Sequence, residues 1–260
     1  MRRNRIKEKW NQGKMAFGTY VNLADPAVVE IIGLAGFDAA FIDMEHTGFD
    51  LQTVQNMLRA CDLTGISSLV RVPDNNPKTI LRVLDMGAQG VQVPHIGGRE
   101  DALEMVKAVR YAPLGERGMG GPTRAARYGA ISSAEHLETS NEEILLSVMV
   151  ENQKAIDELE GIASIDGIDL VTIGPTDLAQ ALGFPESEYS RLMEPVEYIS
   201  ATLKKVGKAK MALPMTLPQF SLSIAELKEL GVAYANCGPA DVVRLLNSYR
   251  RQIEEIEAQL

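Results

Sequence analysis

The chain has 260 residues, of which 45% are hydrophobic and 23% are charged, and its formal net charge is -9. This length suits one large barrel or two small domains, and no linker rich in Pro, Gly and Ser divides the chain. The negative charge argues against nucleic acid as a partner, and no apolar run approaches the roughly 20 residues of a membrane span.

Short apolar segments alternate with amphipathic segments along the chain. The apolar segments are rich in Val, Ile and Ala and predict eight strands, at 16–22, 39–44, 67–72, 90–93, 144–150, 170–173, 208–213 and 233–237. The segments between them have apolar residues at helical spacing, and several end near a glycine. Strands that alternate with helices in this number favour a closed parallel barrel over an open sheet. We therefore predict an α/β fold, a (β/α)8 TIM barrel, as a single domain over residues 1–260.

Polar side chains follow the second and third predicted strands. The segment IDMEHTGFD places Asp43, Glu45 and His46 at the C-terminal rim, where barrels of this kind have their active sites. Arg71 lies within LVRVPD and needs an anionic or carbonyl partner, because its guanidinium cannot lose its charge. A structural salt bridge to Asp43 or Glu45 is the alternative to a catalytic role for Arg71.

Of the three histidines, His46 and His95 are placed to act in catalysis. His95 ends the fourth strand, whereas His136 lies in a long connection. Either His46 or His95 can instead be a structural residue whose ring nitrogens are satisfied. Asp85, in the third predicted helix, is on this evidence alone a surface charge.

The connection over residues 113–143 is unusually long. It contains GERGMGGPTRAARYG, whose glycines and arginines suit a mobile lid or a contact between subunits.

Two acidic residues close the fifth and sixth strands. Glu151 ends the first of this pair, and Asp177 follows the second. A helix joins the two strands, so they are parallel neighbours and both carboxylates emerge at one edge of the sheet. Their repulsion is relieved most simply by a divalent cation, and we interpret the pair as a metal site. The alternative is that each acid caps a helix.

A second acidic residue resembles Asp177 in its setting. CGPADV after the eighth strand echoes IGPTDL after the sixth, so Asp241 is a competing candidate ligand. We favour Asp177 because its strand adjoins the strand that ends in Glu151.

The final predicted helix covers residues 241–260. Its apolar residues form one stripe, and we expect another subunit to bury part of it. The stripe consists of Val242, Leu245, Leu246, Tyr249, Ile253, Ile256 and Leu260.

Several motifs occur together in a characteristic order. IDMEH, LVRVP, RVLDMGAQGVQVP, the RGMG and RAAR loop, VMVEN and IGPTDLAQALG resemble the HpcH/HpaI family of metal-dependent pyruvate aldolases, within the phosphoenolpyruvate/pyruvate barrel superfamily. The resemblance runs from Ala16 to about Pro239. Departures fall at Met44, where a small residue is common, and at PHIGG after the fourth strand. These departures concern the aldehyde side of the site.

The resemblance implies roles for individual residues. Glu151 and Asp177 would bind a divalent metal such as Mg, Mn or Co. Arg71 would contact the pyruvyl oxygen, and His46 paired with Asp85 would handle protons.

The resemblance also implies how the substrate and the subunits are held. Backbone groups around Gly174, Pro175 and Thr176 would receive the pyruvate carboxylate. Members of the family are typically homo-hexamers or related homo-oligomers, with the final helix exchanged between subunits.

The expected reaction is a reversible retro-aldol cleavage of a 4-hydroxy-2-oxo acid into pyruvate and an aldehyde, through a pyruvate enolate that the metal and Arg71 stabilise. A lysine Schiff base is not favoured, because Lys208 and Lys210 lie at the start of the seventh strand. Two alternatives are a related lyase acting on acyl-CoA thioesters, with Arg124 and Arg127 as its only evident basic patch, and a non-catalytic metabolite-binding barrel.

The cysteines indicate the compartment. Cys61 and Cys237 lack CxxC spacing, and no charged-then-apolar leader precedes Trp10. We therefore expect a reduced, cytoplasmic protein.

Overall fold

A closed barrel of parallel strands forms the centre of the computed structural model, which describes residues 2–216 and 220–260. Each strand pairs with its neighbour in chain order, and β8 pairs with β1. The strands are β1 (Ala16–Val21), β2 (Ala39–Asp43), β3 (Ser67–Arg71), β4 (Gly90–Val93), β5 (Leu145–Val150), β6 (Leu170–Ile173), β7 (Lys210–Pro214) and β8 (Val232–Asn236). The TIM-barrel prediction is confirmed, and all predicted strand ends lie within two residues of the observed ones.

Helices surround the barrel, and α1 precedes the first strand. They are α1 (Arg5–Asn11), α2 (Pro26–Leu34), α3 (Leu51–Thr64), α4 (Pro77–Asp85), α5 (Arg99–Val109), α6 (Ser133–Glu143), α7 (Gln153–Asp157), α8 (Leu159–Ala163), α9 (Pro175–Ala181), α10 (Met193–Val206), α11 (Ile224–Glu229) and α12 (Asp241–Glu257). Two 3-10 segments lie at Arg127–Gly129 and Glu186–Leu192. No helix in the part of the chain that the structure describes is long and apolar enough to cross a membrane.

The strands are apolar on both faces because both faces are buried. Outward residues such as Val70 and Val148 pack against the helices, whereas inward residues such as Phe41 and Leu69 fill the barrel. Ile6 of α1 joins the inward cluster and closes the N-terminal end. Within residues 2–216 and 220–260, the barrel interior is therefore closed at its N-terminal end and open toward its C-terminal end.

Gly18 of β1 leaves space inside the barrel for a large side chain of β8. A Cβ atom on Gly18 would lie 2.0 Å from the hydroxyl of Tyr234. Gly18 pairs with Asn236 in the sheet, so the buried Tyr234 ring extends beneath this pair. The absent side chain on β1 therefore makes room for the large side chain on β8.

The prediction of a loop over residues 113–143 is wrong for its last part. Ser132 accepts a hydrogen bond from the amide of Glu135 and begins α6. This Ser-x-x-Glu spacing is a helix start signal, which the Gly-rich sequence before it obscured. The loop itself is fixed at Arg117, which is buried and forms a salt bridge with Asp85. A role as lid or subunit contact stays a prediction.

The C-terminal helix α12 has no buried residue in the described chain. Its large apolar side chains have exposed fractions between 38% and 61%, and Leu260, beyond the end of the helix, is fully exposed. A stripe of this length without cover is unusual on a single chain. Burial by another subunit, and exchange of this helix between subunits, stay predictions.

Candidate active site

A cavity of about 310 Å³ lies at the C-terminal ends of the strands. It is bounded by residues from all eight strands and by the segment that follows β6. Its lining includes Tyr20, His46, Arg71, Gln92, Gly174, Pro175, Thr176, Asp177, Tyr234 and Asn236. The predicted residues His46, Arg71, Gly174, Pro175, Thr176 and Asp177 therefore share one cavity.

Arg71 is held by two carboxylates that the sequence pointed to as its partners. Its Nε and Nη2 donate to Asp43, with N···O distances of 3.0 and 2.6 Å, and its Nη1 lies 3.1 Å from Glu45. Burial alone would lower the pKa of Arg71, but the hydrogen bonds and charges of Asp43 and Glu45 raise it. A guanidinium has five N–H donors and these contacts use three of them, so the salt bridge leaves donors for a substrate.

Asp43 also shapes the turn after β2. Its Oδ1 accepts from the amides of Glu45 and His46, at 3.0 and 3.3 Å. His46 lines the cavity with its side chain 61% exposed, and its Nε2 lies 3.6 Å from Glu45. The same carboxylate that orients Arg71 thus fixes the backbone that carries the histidine.

Glu151 and Asp177 converge at Gly174. A Cβ atom on Gly174 would lie 3.0 Å from Oε2 of Glu151 and 3.4 Å from Oδ2 of Asp177. Glu151 is buried, and burial raises its pKa; the charges of Asp177 and Glu45 add to this effect, while the amide and ring of His95 oppose it. The two acids predicted from successive strands therefore do meet, in a place where their charges are unfavourable.

The helix-cap alternative does not explain Glu151. Asn152 is the N-cap of α7, and its side chain accepts from the amide of Ala155 at 2.9 Å. Asp177 does lie in the first turn of α9, whose N-cap Gly174 has no side chain to cap it. Asp177 can therefore stabilise the start of α9 and also serve as a ligand of a metal ion.

Asp241 has a different environment from Asp177. Its carboxylate accepts from the amides of Asn22 and Leu23, each at 3.0 Å. These bonds join the loop after β1 to the start of α12. The structure therefore supports the choice of Asp177 over Asp241 as the partner of Glu151.

His95 connects the two halves of the site. Its φ of +55° is in the left-handed region, and its amide lies 2.5 Å from Oε1 of Glu151. The ring nitrogens Nδ1 and Nε2 lie 3.1 Å from Glu151 and 3.0 Å from Glu45. A strained residue of this kind is retained where the surroundings require its position. His95 thus links Glu45, the carboxylate beside Arg71, to the buried Glu151.

The acid pair fits a hard divalent cation with an incomplete protein shell. Among the described residues, no group of three or more His, Cys, Asp and Glu side chains is arranged to hold a metal. Glu151 and Asp177 would therefore supply two oxygen ligands and leave other positions to water or substrate. The pKa of Glu151 is raised first by burial and further by the charge of Asp177, and a bound cation would favour the ionised form against both.

Asp85 does not meet His46 within one chain, so the predicted pair is corrected. Asp85 is the last residue of α4 and precedes β4, at the N-terminal end of the barrel. His46 follows β2 at the C-terminal end. The carboxylate of Asp85 instead lies 2.8 Å from Nη2 of Arg117. Helices in this fold run antiparallel to the strands, which places the end of α4 far from the site.

Five polar residues of the cavity were missed in the sequence. They occupy inward positions of strands that are otherwise apolar, as in FGTYV, GVQV and AYAN, and that alternation is the signal that could have found them. These residues are Tyr20, Gln92, Thr172, Tyr234 and Asn236.

Comparisons with known proteins agree with this geometry. A family model described as HpcH/HpaI aldolase/citrate lyase matches residues 16–217. The chain is 36% identical over 206 residues to a pyruvate aldolase of Rhizobium etli, covering 79% of this chain and 80% of that protein. It is 34% identical over 206 residues to a 5-keto-4-deoxy-D-glucarate aldolase of Klebsiella pneumoniae, with 79% and 80% covered. Its fold resembles the crystal structure of an HpcH/HpaI aldolase from Desulfitobacterium hafniense, with a TM-score of 0.86, 28% identity and 96% of each chain covered.

Removing the charge of Glu151 should stabilise the metal-free protein. Its raised pKa means that ionisation opposes folding. Well below the ordinary carboxyl pKa the group is protonated in both states, and the stability of the wild type is lost progressively as the pH rises through the raised pKa. Urea unfolding with EDTA between about pH 5 and pH 8 should show Glu151→Gln gaining free energy of unfolding over the wild type as the pH rises.

The matched control is Glu160→Gln, because Glu160 is exposed and pairs only with Lys205 in the contacts seen. This control should show no comparable gain. A Glu151→Gln protein that is less stable than the wild type at pH 8 would contradict the claim that ionisation of Glu151 opposes folding.

Proposed function

The chain belongs to the HpcH/HpaI aldolase/citrate lyase family, and we propose on this basis that it is a divalent-metal-dependent pyruvate aldolase. It is a carbon–carbon lyase that reversibly cleaves a 4-hydroxy-2-oxo acid into pyruvate and an aldehyde. The observation that carries the proposal is the convergence of Glu151 and Asp177 on Gly174, in the cavity that Arg71 also lines. Carboxylates and a guanidinium around one cavity suit a 2-oxo acid.

Glu151 and Asp177 would hold the cation, with Mg, Mn or Co as the candidates. When bound, such an ion supplies Lewis acidity for the negative charge that develops on the oxygen of the reacting keto acid. The remaining work falls to groups of the chain itself.

Arg71 binds the keto oxygen of the substrate through the donors that Asp43 and Glu45 leave unused. As the bond between C3 and C4 breaks, its electron pair moves into the pyruvate fragment and charge gathers on this oxygen. A guanidinium already fixed by two carboxylates needs little reorganisation at that moment. Arg71 thus stabilises the enolate more than the starting ketone.

The substrate carboxylate is placed at the start of α9. Pro175 begins this helix, and Gly174, Pro175 and Thr176 line the cavity. The first amides of a helix have no partner within it and attract anions. Anchoring the carboxylate there orients the keto group toward Arg71 and the acid pair.

His46 is the candidate proton carrier. It removes the proton from the C4 hydroxyl as the C3–C4 bond breaks, so that C4 leaves as an aldehyde, and a proton is returned to C3 of the enolate. The carboxylate near His46 is that of Glu45, with an Nε2···O distance of 3.6 Å. Glu45 therefore takes the orienting place that the sequence had assigned to Asp85.

The acyl-CoA alternative has no support from a basic patch at this site. Arg124 lies beside Asp62 and the carbonyl of Met86, at the N-terminal end of the barrel. A cation at that end cannot bind the phosphates of a cofactor whose thioester enters the cavity.

We also propose a homo-oligomer, a hexamer or a related assembly, in the cytoplasm. The exposed stripe of α12 supports the oligomer, because only another surface would remove it from water. Cys61 and Cys237 are free thiols, which agrees with a reducing compartment.

Exchange of the pyruvate methyl protons with solvent tests enolate formation directly. In deuterium oxide with Mg²⁺, NMR should show loss of the methyl signal with enzyme, inhibition by EDTA and recovery when Mg²⁺ is added in excess. Asp177→Ala should lose this exchange, because one ligand of the cation is gone.

The matched control for that experiment is Asp166→Ala, since Asp166 is exposed and pairs with Lys208 away from the cavity. It should exchange at the wild-type rate. Exchange that persists in EDTA, or in Asp177→Ala, would refute the ligand assignment.

Arg71→Lys should lower kcat/KM for retro-aldol cleavage by roughly 100-fold, about 3 kcal/mol, because a point charge does not replace a fork held by two carboxylates. Steady-state kinetics with a 4-hydroxy-2-oxo acid would measure this loss. The control Arg59→Lys changes an exposed arginine of α3 and should have no effect. A rate for Arg71→Lys near that of the wild type would reduce Arg71 to a structural ion pair.

A further inference from the structure

One side of the cavity has polar groups that the proposed reaction does not use. Tyr20 comes from β1, and Tyr234 and Asn236 come from β8. In the closed order of the barrel, these strands lie across from β4 and β5, and Glu151 follows β5. We name Tyr20, Tyr234 and Asn236 the polar wall.

The polar wall is built with fixed geometry. The hydroxyl of Tyr234 donates to Oδ1 of Asn236 at 2.6 Å. Burial raises the pKa of Tyr20, and the nearby side chain of Asn236 partly opposes this effect. The Tyr20 ring packs edge-on against Phe41, with centroids 5.3 Å apart. Gly18 keeps the space that Tyr234 needs, because any side chain there would displace its hydroxyl. The wall is therefore an ordered part of the site.

The polar wall is uncharged. Burial raises the pKa of Tyr20 to about 12, so its phenol stays neutral and can donate or accept a hydrogen bond. Asn236 is only 7% exposed, and buried polar groups favour partners that satisfy them. Neutral donors and acceptors of this kind match an alcohol hydroxyl better than a carboxylate or phosphate, which would call for cations.

The cavity has room for more than pyruvate. Its volume of about 310 Å³ is roughly ten times the share of one water in the liquid, whereas pyruvate has only six bonded non-hydrogen atoms, each of which takes less space than a water. Arg71 lies on β3 and Asp177 follows β6, so a pyruvyl unit bound between them leaves space toward β1 and β8. That space is where the polar wall lies.

We propose that Tyr20 and Asn236 are specificity-determining residues that bind a hydroxyl group of the substrate outside its keto-acid unit. The enzyme then prefers hydroxylated partners over their deoxy counterparts. This inference rests on the proposed aldolase function. The hydroxyl comes either from the acceptor aldehyde or from C3 of the 2-oxo acid donor, and two experimental arms separate these sources.

The first arm compares glycolaldehyde with acetaldehyde as acceptors for pyruvate. The wild type should have the higher kcat/KM for glycolaldehyde, and Tyr20→Phe should lower this preference about tenfold, because the variant loses only the phenolic hydroxyl. The second arm compares binding of hydroxypyruvate and pyruvate by calorimetry in the presence of Mg²⁺. If the recognised hydroxyl is on C3 of the 2-oxo acid, Tyr20→Phe should instead lower the preference for hydroxypyruvate over pyruvate, measured as the ratio of their dissociation constants, about tenfold.

The measured ratios separate recognition from a structural effect. A general disturbance of the cavity changes both members of each pair of compounds equally. Asn236→Ala should reduce the same ratio as Tyr20→Phe. The control Tyr198→Phe removes a phenolic hydroxyl from an exposed position on α10 and should leave both ratios unchanged.

Ratios for Tyr20→Phe that stay within about twofold of the wild type in both arms would overturn the role of the polar wall. Wild-type protein that shows no preference for a hydroxylated compound would do the same. If the wild type with Mg²⁺ shows no exchange of the pyruvate methyl protons, the aldolase function itself is refuted, and the role of the polar wall is refuted with it.

Discussion

The site depends on two carboxylates that converge at one glycine. Glu151 and Asp177 follow neighbouring parallel strands, and both oxygens approach the point where a side chain on Gly174 would begin. Burial of Glu151 and the nearby charge of Asp177 disfavour the ionised form of Glu151, which is why its pKa is raised. A cation bound between the two carboxylates would offset this unfavourable energy.

The rest of the site is arranged around this pair. Asp43 and Glu45 hold Arg71, and His95 bridges Glu45 and Glu151 from a left-handed backbone conformation. Because both the backbone and the ring of His95 make these contacts, a shift of His95 would disturb Glu45 and Glu151 together. The guanidinium and the acid pair are thus parts of one connected network, so we expect changes at His95 to affect both.

Much of this arrangement follows from sequence because its causes are local. Strand periodicity gave the barrel, and parallel neighbours must place Glu151 and Asp177 at one edge. The partners of Arg71 were also predictable, since Asp43 pairs with it across the sheet. Each of these inferences uses only strand order and side-chain alternation.

Other features depend on long-range packing and could not be predicted in the same way. The separation of Asp85 from His46 follows from the direction of α4 relative to the strands, whereas the family resemblance pairs the two residues without regard to that direction. The polar wall needs Gly18, Tyr234 and Asn236 in register across the junction of β1 and β8. Helix α6 was hidden by the Gly-rich loop before it.

Anomalous diffraction from crystals soaked in Mn²⁺ would test the central claim most directly. The account predicts a single strong peak within coordination distance, about 2.2 Å, of carboxylate oxygens from both Glu151 and Asp177. Data from Asp177→Ala crystals should lack the peak. A well-ordered wild-type site with no anomalous density between the two carboxylates would contradict the account.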